Sequence, residues 1–223
     1  MHEDFRLFQL ISPSLPVGAF SYSQGLEYAI ELGWVKNVEQ FNDWMVSMIE
    51  DSLVTLELPI LRRMYHAFSE GDLDQISELN RLFYANRETA ELRAEEKARG
   101  KAMARLLQKL GMNPSSDSRQ SELLSQNSLV GFAYACHHWH IDEDKMCSGY
   151  LWSWLENATM AGIKLIPLGQ SDGQKLMLAL NESMSDAIDS SKQVIDEDIG
   201  SYTPAQVLAS SKHETQYTRL FRS

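Results

Sequence analysis

The sequence predicts an all-α fold, a single-domain helical bundle of about eight to ten helices with a flexible C-terminal tail. Apolar residues recur at intervals of three and four along most of the 223 residues, which is the spacing of one helix face. The alternating pattern of a half-buried strand does not occur between these segments. A hydrophobic content of 43% is enough for one sizeable core. We expect residues 1–195 to form the all-α domain and residues 196–223 to form a mobile tail.

The first half of the chain contains the clearest helical segments. Asn37 is the expected N-cap of a long amphipathic helix, which we predict to kink near Pro59 because proline lacks a backbone N–H. Gly71 and Asp72 mark a break before the next helix, and a charged helix after it should end at Gly111. The apolar face of the long helix contains Phe41, Trp44, Met45, Met48, Ile49, Leu53, Leu56 and Ile60.

The second half begins with a polar stretch, NPSSDSRQSE, which we expect to be a loop. Two apolar helices follow it, the second with Asp142 as its N-cap. The next predicted helix carries Leu176, Leu180, Met184 and Ile188 on one face.

The last stretch, from about Asp196, starts acidic and has few residues that could anchor it to the bundle. We therefore expect it to be mobile in the isolated protein. Tyr217, Leu220 and Phe221 have the spacing of an apolar face that a groove on a partner could order.

Charge and cysteine content narrow the class of protein. Thirty-one acidic and twenty basic residues give a formal net charge of −11, which is the wrong sign for binding nucleic acid or an anionic membrane. The two cysteines suit a reducing compartment. No apolar run is long enough for a signal peptide or a membrane span. We expect a cytoplasmic protein.

Two sequence patterns suggest a ligand-binding site, one for phosphate and one for a metal ion. In LGQSDGQK, Gly169 and Gly173 precede a helix, but a phosphate-binding loop needs four residues between its glycines and a lysine after the second, where Gln174 stands. In ACHHWHIDEDKMC, Cys136 and His140 could share a helix face, with His137 nearby, as ligands for nickel or zinc. The alternative for this second stretch is a buried thiol beside solvated histidines, since the spacing matches no structural zinc pattern.

An enzyme that uses Cys136 or a histidine has no support from the pattern of residues. The sequence contains no nucleophile elbow, no zinc-protease helix and no glycine-rich dinucleotide turn. Its acidic runs are typical of solvated helix faces.

The most unusual stretch is SPSLPVGAFSYSQGLE, from Ser12 to Glu27. Pro13 and Pro16 favour extended backbone before them, and Gly18 permits a turn, so a rigid non-helical corner should separate two helices. Such a corner is either a well-packed connection or a fixed surface loop presented to another protein.

Together with three later motifs, this stretch resembles the UreF family of urease accessory proteins. The other motifs are NRETAELRAEE, AGIKLIPLGQSDGQ and the terminal HETQYTRLFRS. The four motifs occur in the order of the family and are distributed from one end of the chain to the other. The resemblance implies an all-α, dimeric, non-catalytic chaperone without a cofactor of its own. It also implies three partners, which are the accessory protein UreD (also called UreH), the GTPase UreG and apo-urease, into whose active site the complex delivers nickel.

The resemblance also indicates residues that contact partners. In the first motif the matching residues, expected on a partner-facing surface, are Pro16, Gly18, Ser21, Gly25 and Glu27. In the third motif they are Lys164, Pro167, Gly169 and Gln170, and in the tail Tyr217, Arg219 and Arg222. Glu27 and Lys164 are the expected contacts with the GTPase, and the tail should become ordered when UreD docks. The charged motif, with Arg87 and Glu91, is either an interface or a lattice of helix salt bridges of small energetic value.

Two other functions stay open within this family. One is a GTPase-activating role, in which Lys164 or Arg222 stabilises the charge on the transferred phosphoryl group. The other is a nickel store that binds the metal tightly by itself.

Overall fold

The computed structural model describes residues 2–112 and 118–222. These residues form α-helices joined by short turns and by two longer connections, before α2 and before α12, and they contain no β-strand. The helices are α1 (His2–Ile11), α2 (Leu26–Glu31), α3 (Val38–Met48), α4 (Leu58–Glu70), α5 (Leu73–Ala85), α6 (Ala90–Lys109), α7 (Ser118–Leu124), α8 (Ser128–His138), α9 (Glu143–Leu165), α10 (Gln170–Ala179), α11 (Asn181–Ser191) and α12 (Pro204–His213). The predicted all-α class is confirmed.

The predicted number of helices was slightly too low. A π-helical segment, Ile49–Glu57, joins α3 and α4 into one continuous helix, so the described residues contain eleven helices. Two of the additional helices are α7, which forms from Ser118 where a loop was expected, and α12, which lies in the expected tail. The rest of the expected loop, residues 113–117, lies outside the described residues. The single helix predicted after Gly169 is two helices, α10 and α11, which divide at Leu180.

Most of the predicted helix ends are confirmed. The Asn37 side chain accepts a hydrogen bond from the Gln40 N–H, and the Asp142 side chain accepts from the N–H groups of the first turn of α9. Gly71 and Gly111 adopt left-handed conformations after α4 and α6, as C-terminal glycines commonly do. The residues at the helix ends were therefore sufficient to predict these boundaries.

The long helix changes its hydrogen bonding before Pro59 rather than ending there. Pro59 has no N–H to donate back to the preceding turn, and the nine residues before α4 are π-helical. The carbonyl of Thr55 accepts from the Gly200 N–H at 3.1 Å, and the carbonyl of Asp51 accepts from the Tyr202 N–H at 3.0 Å. The π-helical segment thus provides carbonyl groups that bind the main chain leading to α12.

The core follows the predicted apolar face of the long helix. Phe41, Met45, Leu56 and Ile60 are completely or almost completely buried, and Trp44 is half-buried beside them. Helices α4 and α6 both pack extensively against α8, and α8 is buried along most of its length. No helix in the described part of the chain is long and apolar enough to cross a membrane.

The structure corrects the expectation that the C-terminal stretch has few anchors. Helix α12 packs on α2 and on the start of α6, and Ala209, Ser210 and His213 are completely buried. Ser210 and Thr89 share a hydrogen bond of 2.8 Å, and the Glu214 carboxylate accepts from the Ala90 N–H at the start of α6. Sequence reasoning missed these anchors because they are small or polar residues rather than an apolar stripe. The mobility of the tail beyond α12 stays a prediction.

Candidate partner-binding site

The unusual stretch between α1 and α2 forms a corner without α-helix, as predicted. It contains a short 3-10 turn, Ala19–Ser21, and three residues with left-handed backbone, Gly18 (φ 75°), Gln24 (φ 52°) and Gly25 (φ 86°). A left-handed conformation is uncommon for glutamine, and such strain often accompanies a functional site. The corner directs the chain into α2 and places Glu27 in its first turn.

Gly25 is buried against α12. A Cβ atom at this position would lie 2.9 Å from the carbonyl oxygen of Gln206 and 3.1 Å from the Ser210 nitrogen. Gly25 therefore allows two helices to approach closely, in addition to its left-handed turn. The side of Gly25 that was expected to face a partner is therefore covered by α12 of the same chain.

Glu27 is also buried, with only 8% of its surface exposed. Its Oε1 accepts from the Leu220 N–H at 2.7 Å, and its Oε2 accepts from the Phe221 N–H at 2.9 Å. The side chain expected to contact a GTPase thus holds the C-terminal segment of its own chain.

His213, at the end of α12, lies between two carboxylates. Its Nε2 is 3.2 Å from Glu27 Oε2, its Nδ1 is 2.8 Å from Glu91 Oε2, and the ring is completely buried. Arg219 donates to the other oxygen of Glu91 at 2.8 Å. We call this arrangement the C-terminal latch: Glu27, Glu91, His213, Arg219 and the main chain of Leu220 and Phe221.

The three predicted contact regions meet at this latch. The Lys164 ammonium of α9 lies 5.5 Å from the centre of the Phe221 ring, a cation–π contact, and the Ser21 carbonyl accepts from the Arg222 N–H. Ser21, Gly25 and Glu27 from the corner, Lys164 from α9, and Arg219 and Arg222 from the tail therefore lie around one segment. Their separation along the chain gives no direct indication of this arrangement.

The other predicted contact residues lie outside the hydrogen bonds of the latch. Pro16, Pro167, Gly169 and Gln170 are exposed, and Gly18 is half-buried with open space around its Cα. Gly169 is the N-cap of α10. Tyr217 is fully exposed. These residues are therefore surface positions that take no part in the hydrogen bonds of the latch.

Beneath the corner lies a buried charged cluster. Arg87 donates to Glu57 at 2.7 Å and to Glu96 at 3.2 Å, and its guanidinium stacks on the Phe83 ring. Burial opposes the charge of Arg87, but Glu57 and Glu96 outweigh this effect and raise its pKa. Arg87 is therefore an internal charge and not a surface salt bridge. Glu57 could have been noticed as the one acidic residue within the apolar run LVTLELPIL.

A second buried pair belongs to the same cluster. Arg99 donates to Glu95 Oε1 at 2.7 Å, and the strained Gln24 donates to the same oxygen at 3.0 Å. Burial raises the pKa of Glu95, although Arg99 works in the opposite direction. The left-handed Gln24 thus connects the corner to the charged interior.

The corner and the charged cluster enclose a cavity of about 90 Å³. Its lining includes Gln24, Glu57, Arg87 and Glu95. The second carboxylate oxygens of Glu95 and Glu96 have no hydrogen-bond partner within the described protein. Buried polar atoms in cavities of this size are ordinarily satisfied by ordered water.

The cysteine–histidine stretch does not form the helix face that its spacing suggested. Helix α8 ends at His138, and His140 has a left-handed backbone (φ 56°), so Cys136 and His140 do not share one face. Cys136 is completely buried and burial raises its pKa, while desolvation and two neighbouring histidines lower the pKa of His137. In residues 2–112 and 118–222, no three His, Cys, Asp or Glu side chains are placed to hold a metal ion.

Comparison with known proteins identifies the family. The UreF family model matches residues 35–181. The chain belongs to the UreF family. This family assignment confirms the resemblance carried by the four motifs, two of which lie outside the matched range.

Relatives extend the similarity along nearly the whole chain. A urease accessory protein UreF from Alcanivorax borkumensis is 46% identical over 98% of this chain and 97% of its own length. Proteins of the same name from Pseudomonas putida strain W619 and Citrobacter koseri are 46% and 42% identical, each over 98% of this chain and 96% of their own length. These relatives thus share nearly the full length of the chain, beyond the range of the family model on both sides.

Proposed function

We propose that this protein is a non-catalytic chaperone of urease maturation in the cytoplasm. It bridges UreD (UreH) and the GTPase UreG to apo-urease and so supports insertion of nickel into the urease active site. The names of its relatives and its family membership support the role in maturation. The observation that carries the bridging role is the convergence of three distant stretches, the corner, the end of α9 and the tail, around the C-terminal latch.

The outer side of this region suits a protein partner. Lys164, Arg219 and Arg222 are exposed cations in a chain of net charge −11, and Leu220 and Tyr217 are exposed apolar side chains of the same segment. Basic and aromatic residues side by side are typical of binding hot spots. Glu27 can reach a partner only after the tail leaves the latch, because its carboxylate is occupied.

Co-purification tests the bridging role. Tagged protein is expressed with UreD and UreG, and retention of each is compared for Lys164→Ala, Arg219→Ala and the control Arg81→Ala, whose exposed side chain pairs with Glu78 on α5. We expect wild type and Arg81→Ala to retain both partners and to restore urease activity in cells without the native copy. Full retention and activity of both test variants would contradict the proposed surface.

A GTPase-activating role is the second candidate, and the exposure of Lys164 and Arg222 beside the latch favours it. An activator would stabilise the charge of the transferred phosphoryl group and accelerate GTP hydrolysis by UreG in the presence of UreD by at least about a hundredfold. A passive scaffold would change this rate little. Loss of the acceleration in Lys164→Ala or Arg222→Ala would identify the cation responsible.

A further inference from the structure

We propose that the C-terminal latch is closed by a proton: His213 holds the tail on the bundle as an imidazolium, and loss of one ring proton releases residues 214–222. Binding partners take no part in this step. It therefore determines, before any encounter, whether the tail is folded onto its own chain or free to reach another protein.

The protonation state follows from the hydrogen-bonding groups. Both ring nitrogens of His213 face carboxylate oxygens, at 2.8 Å and 3.2 Å, and an ionised carboxylate can only accept hydrogen bonds. A neutral imidazole has one N–H and one lone pair, so it can satisfy only one of these contacts. Both contacts can be hydrogen bonds at the same time only when both ring nitrogens carry a proton.

Among the described residues, the His213 ring has no other hydrogen-bond partner. Helices α2 and α6 pack against α12, and the ionisable groups they place on the ring are Glu27 and Glu91. Arg219 binds the outer oxygen of Glu91, Glu214 is directed to the N-terminus of α6, and Lys164 lies over Phe221. Because the ring is completely buried, water cannot replace a lost N–H without local opening.

The same atoms that bind the ring also hold the tail. Glu27 Oε2 accepts from both His213 Nε2 and the Phe221 N–H, and Glu91 bridges His213 and Arg219. With the proton present, two carboxylates face one imidazolium and one guanidinium, and the charges balance. Without it, the buried site has an excess negative charge and a lone pair facing an oxygen. The contacts that Glu27 and Glu91 make with the tail are weakened together, which leaves the buried Phe221 side chain and the Arg222–Ser21 hydrogen bond as the remaining anchors, so the open fraction of the latch rises with pH.

The first test is the protonation state of the ring. The ¹⁵N signals of the His213 imidazole, assigned by their absence in His213→Gln, are followed from pH 5.5 to pH 8.5 in the isolated full-length chain. We expect both nitrogens to be protonated where the tail is bound. A neutral His213 ring with the tail still bound would overturn the proposal.

The second test follows the tail directly. A nitroxide is attached at Tyr217→Cys, a fully exposed position, while the native Cys136 and Cys147 are buried and serve as the unlabelled background. A second label at the exposed Glu39→Cys reports on the bundle. We expect the ratio of mobile to immobile label at position 217 to rise with pH by up to about tenfold per unit, the limit for one linked proton, and the label at position 39 to stay constant.

Two variants separate the proton from simple packing. In Glu91→Gln the amide can donate to an unprotonated Nδ1 while its oxygen still accepts from Arg219, so the tail should stay bound with little pH dependence. His213→Gln, which cannot titrate, should also lose the pH dependence. An unchanged pH response in Glu91→Gln would contradict the latch even if His213→Gln proved unstable. Neither measurement includes UreD or UreG, so its outcome is independent of the proposed bridging role.

Discussion

At the scale of single residues, Gly18 and Gly25 show why one residue type serves two purposes in the same corner. Both have left-handed backbone, which glycine adopts without strain. Gly18 has open space where a Cβ would be, whereas Gly25 touches the main chain of α12. The sequence indicates the turns, but only the packing distinguishes the crowded glycine from the free one.

We predict a large difference in stability between two alanine variants. Gly18→Ala should lower the free energy of unfolding by about 1–2 kcal/mol, the cost of left-handed backbone for alanine. Gly25→Ala should lower it by about 2–4 kcal/mol, because overlap with Gln206 and Ser210 adds to the same strain. Urea denaturation of both variants measures the difference. Equal losses would show that α12 does not pack closely on Gly25.

Arg87 is the residue whose role changed most between sequence and structure. Its position in a charged helical motif allowed an exposed salt-bridge lattice, yet its guanidinium neutralises two buried carboxylates. Removal of one member of such a cluster leaves the others buried without compensation.

We predict that Arg87→Met lowers the free energy of unfolding by about 3–5 kcal/mol at neutral pH. Buried carboxylates without the guanidinium favour their protonated forms, so the loss should become smaller as pH falls from 8 to 5. Arg81→Met is the matched control, because its exposed pair with Glu78 is worth about 0.5 kcal/mol or less. Denaturation curves at several pH values check this. A loss for Arg87→Met that does not depend on pH would argue against unpaired carboxylates as the cause.

At the scale of elements, α12 separates the C-terminal region into two parts. The helix is part of the bundle, whereas the segment after it is held by the hydrogen bonds of the latch and by the buried Phe221 side chain. A chain that stops at Gly200 loses both parts, so it would lose stability as well as the tail.

We predict different outcomes for two shortened chains. A chain ending at Thr215 keeps α12 and should lose about 2–4 kcal/mol of stability, since Glu27 loses two N–H donors and the buried Phe221 side chain is removed. A chain ending at Gly200 also uncovers α2 and should lose at least about 5 kcal/mol, or roughly 10–20 °C in melting temperature. Thermal unfolding compares them. Similar melting temperatures would show that α12 contributes little to the bundle.

The Thr215 chain is then the suitable form for partner binding. It should fold and yet fail to retain UreD if the segment after α12 is the docking element. Retention of UreD by this chain would place the docking surface elsewhere.

At the scale of the whole molecule, we expect a homodimer. Several large apolar side chains are exposed, including Phe5, Phe8, Phe20 and Leu178, and a second copy is one means of covering such surface. Sedimentation equilibrium should give about twice the 25.4 kDa of one chain. A mass of one chain at micromolar concentration would contradict the expectation.

The sequence by itself determined the helical class, the caps at Asn37 and Asp142, the glycine helix ends and the motifs of the UreF family. These features depend on residues within a few positions of one another, so local pattern is sufficient to predict them. The slight underestimate of the helix number came from α7 and α12, short helices with a weak apolar pattern, and from the division of one predicted helix into α10 and α11.

Only the tertiary structure decided the state of the charged residues. Glu27 and His213 are 186 positions apart, yet they form one buried site, and Arg87 reaches Glu57 across 30 positions. A charged residue can be buried only where its partner is, and the partner's position is set by how the helices pack. Whether Glu27 faces solvent or holds the tail was therefore a property of the fold and not of the motif that contains it.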